Sequence, residues 1–308
     1  MYDCGGGIFC VDAHYEGTCL AAVYILRSGG HAAIIETASN SSLPYVLSAL
    51  YKLGLKCEDV DFVCVTHVHL DHAGGAGSYM REFPNAKFVV HPRGARHMID
   101  PSRLIASVRS VYGDAETERL YGTILPIPAE RVIKVQDGQE LSFGDMTLVC
   151  YDAPGHAKHH IVLLEKESRA LFSGDAFGVS YGWMTGYGHK WAIPTSSPVQ
   201  FDPDAMAATI KKIISLEPAR IFLTHFGEIS DICENASLLT KLTKLYADIA
   251  DEEHGDKERI KAHLIKVYEK LIAERCSPVP DAPVEKLLPV DLELNSQGLA
   301  FMYEMAHR

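Results

Sequence analysis

The segment 66–72, Thr-His-Val-His-Leu-Asp-His, limits most strongly what this chain can fold into. It follows a predicted short buried strand over 61–66, and two glycines come soon after it. His67 and His69 alternate in an extended segment, so both can point one way, while Asp71 and His72 reach the other side of the turn. Imidazole and carboxylate groups are ligands that zinc, iron and manganese accept. The segment therefore predicts two adjacent metal sites.

Three more potential ligands share one placement, just past the end of a predicted strand. Active sites of layered α/β proteins collect at such strand ends, where loops converge over a rigid scaffold. We therefore predict that these residues join the first four at one site. They are His156 after strand 146–151, Asp175 after strand 170–172, and His225 after strand 220–223.

The order HxHxDH, PGH, GD and TH resembles that of the metallo-β-lactamase superfamily, which includes glyoxalase II, ribonuclease Z and the lactonases. The resemblance covers residues 20–230. It implies an α/β (α+β) fold, a four-layer αββα sandwich with two mixed sheets face to face and the site at one edge. It also implies two divalent metal ions per chain, with zinc preferred over iron or manganese. The implied ligands are His67, His69 and His156 for one ion, Asp71, His72 and His225 for the other, and Asp175 as the bridge.

Three residues near these ligands are candidates for supporting or catalytic roles. PGHAKHH resembles the PGHTxGH of relatives, with His160 matching the second histidine, so His159 and His160 either donate a proton to the leaving group or support a ligand. We count both, with Asp71, as candidate catalytic residues. Glu36 stands where relatives have a supporting aspartate, and we expect it to do the same work with a shifted backbone.

Periodicity and turn chemistry organise the remainder of the chain. We predict a hairpin over 20–36, helices over 43–53 and 73–83, a helical and loop-like stretch over 93–130, and a metallo-β-lactamase domain over 1–230. We expect residues 231–308 to be a helical extension that caps the site or makes a homodimer interface. Its helices cover 231–275 with a break near 254–256, and a Pro-rich connection and a mixed tail follow them. The loop 176–200 either lines the substrate pocket or packs down on the body through Phe177, Tyr181, Trp183, Met184, Tyr187 and Trp191.

Composition excludes several classes of function. A formal net charge of −11 without a run of Lys or Arg argues against nucleic-acid binding. No window approaches the roughly 18–20 apolar residues of a spanning helix, and the N-terminus has no signal-peptide pattern. The eight cysteines are scattered without a CxxC pair, so we expect reduced thiols in a cytoplasmic protein, although Cys4 and Cys10 lie near enough in sequence to pair.

The expected activity is hydrolysis of a small ester-like molecule by a hydroxide that bridges the two ions. A phosphodiester is our first expectation, and a lactone or thioester is the alternative. A diiron oxygen-binding or oxygen-reducing protein is a rival, although redox relatives carry a carboxylate where this chain has His69. A regulatory protein that retains its metals and binds a protein partner is the third class.

Overall fold

A computed structural model describes residues 1–196 and 199–308, without the side chains of residues 111 and 112. Positions 197 and 198, in the predicted loop 176–200, lie outside the described residues. The chain forms two compact units that interleave along the sequence. Unit 1 comprises Met1–Asp152, His159–Gly174 and Thr224–Gly227, and unit 2 comprises Ala153–Lys158, Asp175–Leu223 and Glu228–Arg308.

Unit 1 contains a seven-stranded sheet in which spatial order follows chain order. The first four strands pair antiparallel, and the rest pair parallel. Parallel neighbours need long crossovers, which here carry the helices of the unit. The sequence missed the first two strands. The strands are β1 (Tyr2–Asp3), β2 (Ile8–Asp12), β3 (Ala22–Ser28), β4 (His31–Ile35), β5 (Val60–Cys64), β6 (Lys87–Val90) and β7 (Val132–Lys134).

A second sheet of unit 1 is an antiparallel meander, and it faces the first sheet. The ring of Tyr24 on β3 lies 5.2 Å from that of Phe172 in the meander, and Phe62 on β5 lies 6.2 Å from Phe143. Interdigitated apolar side chains of this kind form the core of a sandwich. The predicted sandwich is therefore confirmed. The meander strands are β8 (Gln139–Phe143), β9 (Met146–Asp152), β10 (Ile161–Glu165) and β11 (Ala170–Gly174).

The helices of unit 1 occupy the predicted stretches. The first buries Val46, Ala49 and Leu50, which lie on one face at helical spacing. The predicted helix over 73–83 is instead two short helices joined by Gly74 and Gly75. The helices are α1 (Leu43–Lys52), α2 (Leu70–Ala73), α3 (Ala76–Glu82), α4 (Pro92–Ile99), α5 (Ser102–Tyr112) and α6 (Asp114–Tyr121).

Unit 2 is mainly helical. The predicted break near 254–256 is confirmed, since His254 and Gly255 both have positive φ there. Asp202 caps the first helix, because its side chain accepts a hydrogen bond from the Ala205 amide. The helices are α7 (Pro203–Ser215), α8 (Ile232–Glu252), α9 (Lys257–Arg275), α10 (Val284–Leu287) and α11 (Pro289–Ala306). Short strands follow the same numbering: β12 (Thr185–Gly186), β13 (His189–Lys190), β14 (Arg220–Leu223) and β15 (Gly227–Ile229).

The last helix corrects the predicted mixed tail. Residues 289–306 form one helix of 18 residues, α11, which packs against α8 and α9. Its buried face carries Asp291, Asn295 and Ser296 beside Leu292 and Leu299. Because polar residues take buried positions, the sequence lacks the apolar stripe by which an amphipathic helix is recognised.

Two further predictions concern membrane-spanning helices and the state of the cysteines. In the part of the chain that is described, no helix combines the length and hydrophobicity needed to cross a membrane. All eight cysteines are present as thiols.

Candidate metal centre

The histidine-rich segment begins where β5 ends at Cys64. His69 is extended, with φ −65° and ψ 148°, and α2 starts at the next residue. Val68 and Leu70 are buried, which anchors the segment between its potential ligands. His67 Nε2 lies 2.9 Å from His69 Nδ1, so the two rings converge as the alternation predicts.

A three-ligand cluster forms within unit 1 from Asp71, His72 and His225. One potential ligand atom from each lies within 4.8 Å of the others. His225 Nε2 is 3.4 Å from Asp71 Oδ2, and His72 Nε2 is 3.8 Å from the same oxygen. One carboxylate and two imidazoles are a donor set that a divalent transition metal accepts, so these residues fit the implied ion.

Hydrogen bonds fix the orientation of both imidazoles in this cluster. His225 Nδ1 lies 2.7 Å from the Leu20 carbonyl oxygen. Because a carbonyl only accepts, Nδ1 donates its proton and Nε2 keeps its lone pair on the side of Asp71. His72 Nδ1 lies 3.2 Å from Glu36 Oε1, where it donates in the same way. Outer partners of this kind orient metal-binding histidines and raise their basicity.

Glu36 is a buried residue of unit 1 that supports His72 from the side away from Asp71 and bonds to the side chains around it. It has no solvent exposure, and its Oε1 accepts hydrogen bonds from Thr66 Oγ1 at 2.5 Å and Thr224 Oγ1 at 3.3 Å as well as from His72. Its φ of +68° is in the left-handed region, which costs a non-glycine residue about 1 kcal/mol. This backbone brings the longer side chain to the position that supports His72. Sequence reasoning missed the two threonines, although each directly precedes a predicted ligand in a Thr-His pair.

Tyr15 is a further residue that sequence reasoning missed. Its hydroxyl donates to the Tyr121 hydroxyl at 3.1 Å. Burial, followed by the nearby Asp71 carboxylate, raises the pKa of the Tyr15 phenol far above its usual value. The raised pKa keeps the phenol in its neutral form beside Asp71. The sequence around Tyr15 contains no motif that could have predicted its position near Asp71.

His156 and Asp175 lie together in unit 2. His156 Nε2 is 3.4 Å from Asp175 Oδ2, and both residues are buried. His156 Nδ1 lies 3.0 Å from the Thr195 carbonyl oxygen, so Nδ1 again donates and Nε2 faces the carboxylate. The predicted pair thus has the same arrangement as His225 with Asp71: a carbonyl behind the imidazole and a carboxylate in front.

The two candidate catalytic histidines lie in unit 1 but differ in position. His160 has no solvent exposure, and its ring stacks on that of His67 at 4.7 Å between centroids. This position suits support of a ligand better than contact with a substrate. His159 is buried as well, with its ring 5.6 Å from that of His69 and its Nδ1 accepting from the Val68 amide at 3.5 Å.

The six named side chains of the loop 176–200, five aromatic residues and Met184, comprise a buried or half-buried group, to which Trp183 also belongs, and one exposed residue. Phe177, Met184 and Trp191 are buried, and Tyr181 donates to the Asp291 carboxylate within unit 2. Tyr187 is 80 % exposed. Burial of the first group supports the interpretation that these side chains pack the loop down.

Comparison with known proteins identifies the family of the chain. Residues 17–225 match the family model described as the metallo-beta-lactamase superfamily. The metallo-beta-lactamase fold-containing protein ST1585 of Sulfurisphaera tokodaii is 26% identical over 229 residues, which cover 73% of this chain and 80% of that protein. The acyl-coenzyme A thioesterase MBLAC2 of Homo sapiens is 28% identical over 193 residues, or 56% of this chain and 63% of that protein.

Among solved structures, the metallo-beta-lactamase family protein TTHA1429 from Thermus thermophilus superposes with a TM-score of 0.64. The match has 18% identity and covers 99% of this chain and 95% of that one, which shows the shared fold, C-terminal helices included. The His/Asp clusters are consistent with a dinuclear metal site of the kind typical of this fold. The chain therefore belongs to the metallo-beta-lactamase superfamily, as a metal-dependent hydrolase of that fold.

Proposed function

We propose that this protein hydrolyses an acyl thioester of a small molecule, using two divalent metal ions. The observation that carries the proposal is the repeated arrangement of a fixed imidazole facing a carboxylate, His225 with Asp71 and His156 with Asp175. Such preorganised nitrogen and oxygen donors are what a hydrolytic metal site requires. The proposed ligands are the seven predicted residues His67, His69, Asp71, His72, His156, Asp175 and His225.

Bound ions would supply a water molecule of lowered pKa and polarise the carbonyl oxygen of the thioester, whose C–S bond is then cleaved with the thiol as the leaving group. The exposure of the proposed ligands determines the side from which a substrate can reach the ions. The Asp71 side chain is 30 % exposed, whereas the His72 side chain has no exposure. A substrate therefore approaches from the side of Asp71, where the neutral Tyr15 phenol also lies. The Tyr15 hydroxyl already donates to Tyr121 and brings no positive charge to this side, which suits an uncharged carbonyl group better than a group that needs charge neutralisation.

The substrate class is proposed from the relatives. MBLAC2 is named as an acyl-coenzyme A thioesterase, and 56% of this chain aligns with it. A thioester carbonyl is an electrophile that the donor set described above can serve. We therefore place a thioester ahead of the lactone and of the phosphodiester that the sequence alone favoured.

A phosphodiester remains the second candidate because of one residue. His69 is a neutral ligand where redox relatives have a carboxylate, and only Asp71 and Asp175 among the proposed ligands carry negative charge. Two divalent ions in such a set keep net positive charge, which attracts an anionic substrate. The same feature argues against the diiron oxygen-reducing alternative.

The test uses metal-free protein reloaded with Zn²⁺, assayed on acyl-coenzyme A and acyl-glutathione thioesters through thiol release, and on bis-(p-nitrophenyl) phosphate. We expect thioester turnover that is lost on chelation and in Asp71→Ala and His225→Ala. His31→Ala is the matched control, because His31 is an exposed surface histidine paired with Asp61. Turnover of the phosphodiester alone would favour the second candidate. Oxygen consumption with no hydrolysis under any metal loading would refute the hydrolase proposal.

A further inference from the structure

The backbone at Pro194–Ser196 in unit 2 is held from both sides by one asparagine of the last helix. Asn295 on α11 has no solvent exposure. Its Oδ1 accepts from the Ser196 amide at 2.7 Å, and its Nδ2 donates to the Pro194 carbonyl at 3.4 Å. The Asn295 amide group therefore spans the residue between them, Thr195.

Two buried tyrosines complete this arrangement from other helices. Tyr246 on α8 donates to the Pro194 carbonyl at 3.3 Å, and Tyr268 on α9 accepts from Asn295 Nδ2 at 2.9 Å. The two tyrosine hydroxyls also share a hydrogen bond. Buried polar networks with their partners in place fix one conformation, since each unmade bond would leave a buried polar group without a partner. Three C-terminal helices thus specify the conformation of a segment that precedes the contacting residues by 52 positions for Tyr246 and by 101 for Asn295.

Thr195, which lies between Pro194 and Ser196, forms a hydrogen bond with His156. The Thr195 carbonyl accepts the Nδ1 proton of His156 at 3.0 Å. That bond selects the tautomer in which Nε2 faces Asp175. Because the peptides on both sides of Thr195 are held by Asn295, the direction of the carbonyl is fixed as well.

The backbone of His156 is anchored separately. Thr209 on α7 donates to the Pro154 carbonyl at 2.5 Å, and the Asp202 amide donates to the Gly155 carbonyl at 2.9 Å. With the main chain held by these contacts, the bond from Nδ1 to the Thr195 carbonyl helps to fix the side-chain torsion angles of His156, together with the Asp175 carboxylate at Nε2.

We propose that Asn295 is a positioning residue for the metal ligand His156, acting through the Thr195 carbonyl. The helices α8, α9 and α11 thereby take part in building the metal centre, in addition to any cap or interface they form. This inference rests on the proposed function only in taking His156 as a metal ligand.

The experiment measures Zn²⁺ binding to metal-free protein by competition with a chromophoric chelator. Asn295→Ala should keep the stoichiometry but weaken one of the two sites by about 10-fold, the lower end of the range for loss of a direct partner of a metal-binding histidine, because Asn295 acts through the Thr195 carbonyl. Asn295→Asp keeps the oxygen that accepts from Ser196 and should lie between Asn295→Ala and the wild type. In ¹⁵N-histidine spectra of the metal-free protein, His156 should lose its fixed Nδ1–H tautomer in Asn295→Ala.

Asn235→Ala is the matched control. Asn235 on α8 is also buried, accepts from the Ala192 amide, and donates to the Lys190 and Ser230 carbonyls, so it anchors the same loop away from Thr195. It should lower thermal stability while leaving both Zn²⁺ affinities and the His156 tautomer unchanged. Equal loss of Zn²⁺ affinity in Asn235→Ala and Asn295→Ala, or no loss in either, would overturn the proposal. Unchanged Zn²⁺ binding in His156→Ala would instead show that the ligand assignment of the proposed function is wrong.

Discussion

Glu36 offers a way to perturb the metal centre without changing any proposed ligand. Glu36→Gln keeps the shape of the side chain but removes its charge, at a position with no solvent exposure. Oε1 accepts its two shorter side-chain bonds from Thr66 Oγ1 and His72 Nδ1, and a longer one from Thr224 Oγ1 at 3.3 Å. The other oxygen, Oε2, is buried without a hydrogen-bond partner among the described residues. The substitution therefore weakens two charge-assisted bonds and buries a new amide donor.

The magnitude follows from these contacts. A hydrogen bond to a charged group contributes roughly 1 kcal/mol more than a neutral one, and a buried donor without a partner costs about 1–3 kcal/mol. Two weakened bonds and one such donor give a loss of about 3–5 kcal/mol in the free energy of unfolding. His72 would also lose its charged partner, so Zn²⁺ affinity at the cluster of Asp71, His72 and His225 should fall about 10-fold or more.

The assay compares Zn²⁺ affinity and thermal unfolding in Glu36→Gln and in Glu165→Gln. Glu165 on β10 is as buried as Glu36, accepts from the amide and hydroxyl of Ser168, and also has one oxygen without a hydrogen-bond partner among the described residues. It should lose comparable stability without any loss of Zn²⁺ affinity. If Glu36→Gln binds Zn²⁺ as the wild type does, or if both variants lose affinity equally, the argument that Glu36 orients His72 is wrong.

Three further predictions concern unit 2. Leu242→Asp puts an unpaired charge on the buried face of α8 and should lower the free energy of unfolding by about 3 kcal/mol or more, and with it the melting temperature. Tyr51→Asp is the control, because Tyr51 is exposed and its replacement should leave the melting temperature unchanged. Gly155→Ala should destabilise the protein, because the new Cβ would lie 2.4 Å from Met206 Cα and the residue has a φ of +135°. It should also weaken Zn²⁺ binding, because Gly155 directly precedes the proposed ligand His156. Gly182→Ala is the control, because a Cβ there meets open space. Hydrogen bonds from Lys257 and Lys261 lower the pKa of Glu293 to about 2, so the stability it contributes should be present above its unfolded pKa of about 4.3 and disappear as the pH falls through about 2. Thermal unfolding from pH 6 to pH 2 should show that loss in the wild type and a smaller one in Glu293→Gln.

The sequence points directly to the seven proposed ligands because their signal is local. Four of them lie within one short segment, and the others directly follow apolar runs that form strands β9, β11 and β14. The hairpin over 20–36 and the helix over 43–53 were recognisable for the same reason, since periodicity and turn residues act over a few positions.

What the sequence did not predict depends on contacts between distant positions. The Leu20 carbonyl behind His225 and the Thr195 carbonyl behind His156 are main-chain atoms, for which residue type carries no signal. Asn295 looks like an ordinary polar residue in a tail without a motif, because its role depends on the fold that brings α11 to Pro194–Ser196. The helix itself was missed because the polar residues that do this work interrupt its apolar stripe.

The choice between hydrolysis and oxygen chemistry turns on His69. His69 Nδ1 lies 2.9 Å from His67 Nε2. A glutamate at position 69 would therefore place its carboxylate next to His67, where the wild type has a neutral imidazole. His69→Glu adds a third carboxylate to a proposed ligand set that contains only Asp71 and Asp175. The extra negative charge lowers the Lewis acidity of the bound ions, so hydrolysis should fall and its rise with pH should move to higher pH. Iron should bind the variant better than the wild type, because hard oxygen ligands favour it. His69→Gln, which is neutral, separates charge from the loss of imidazole. The charge argument is wrong if the glutamate and glutamine variants have the same pH–rate profile on the same substrate.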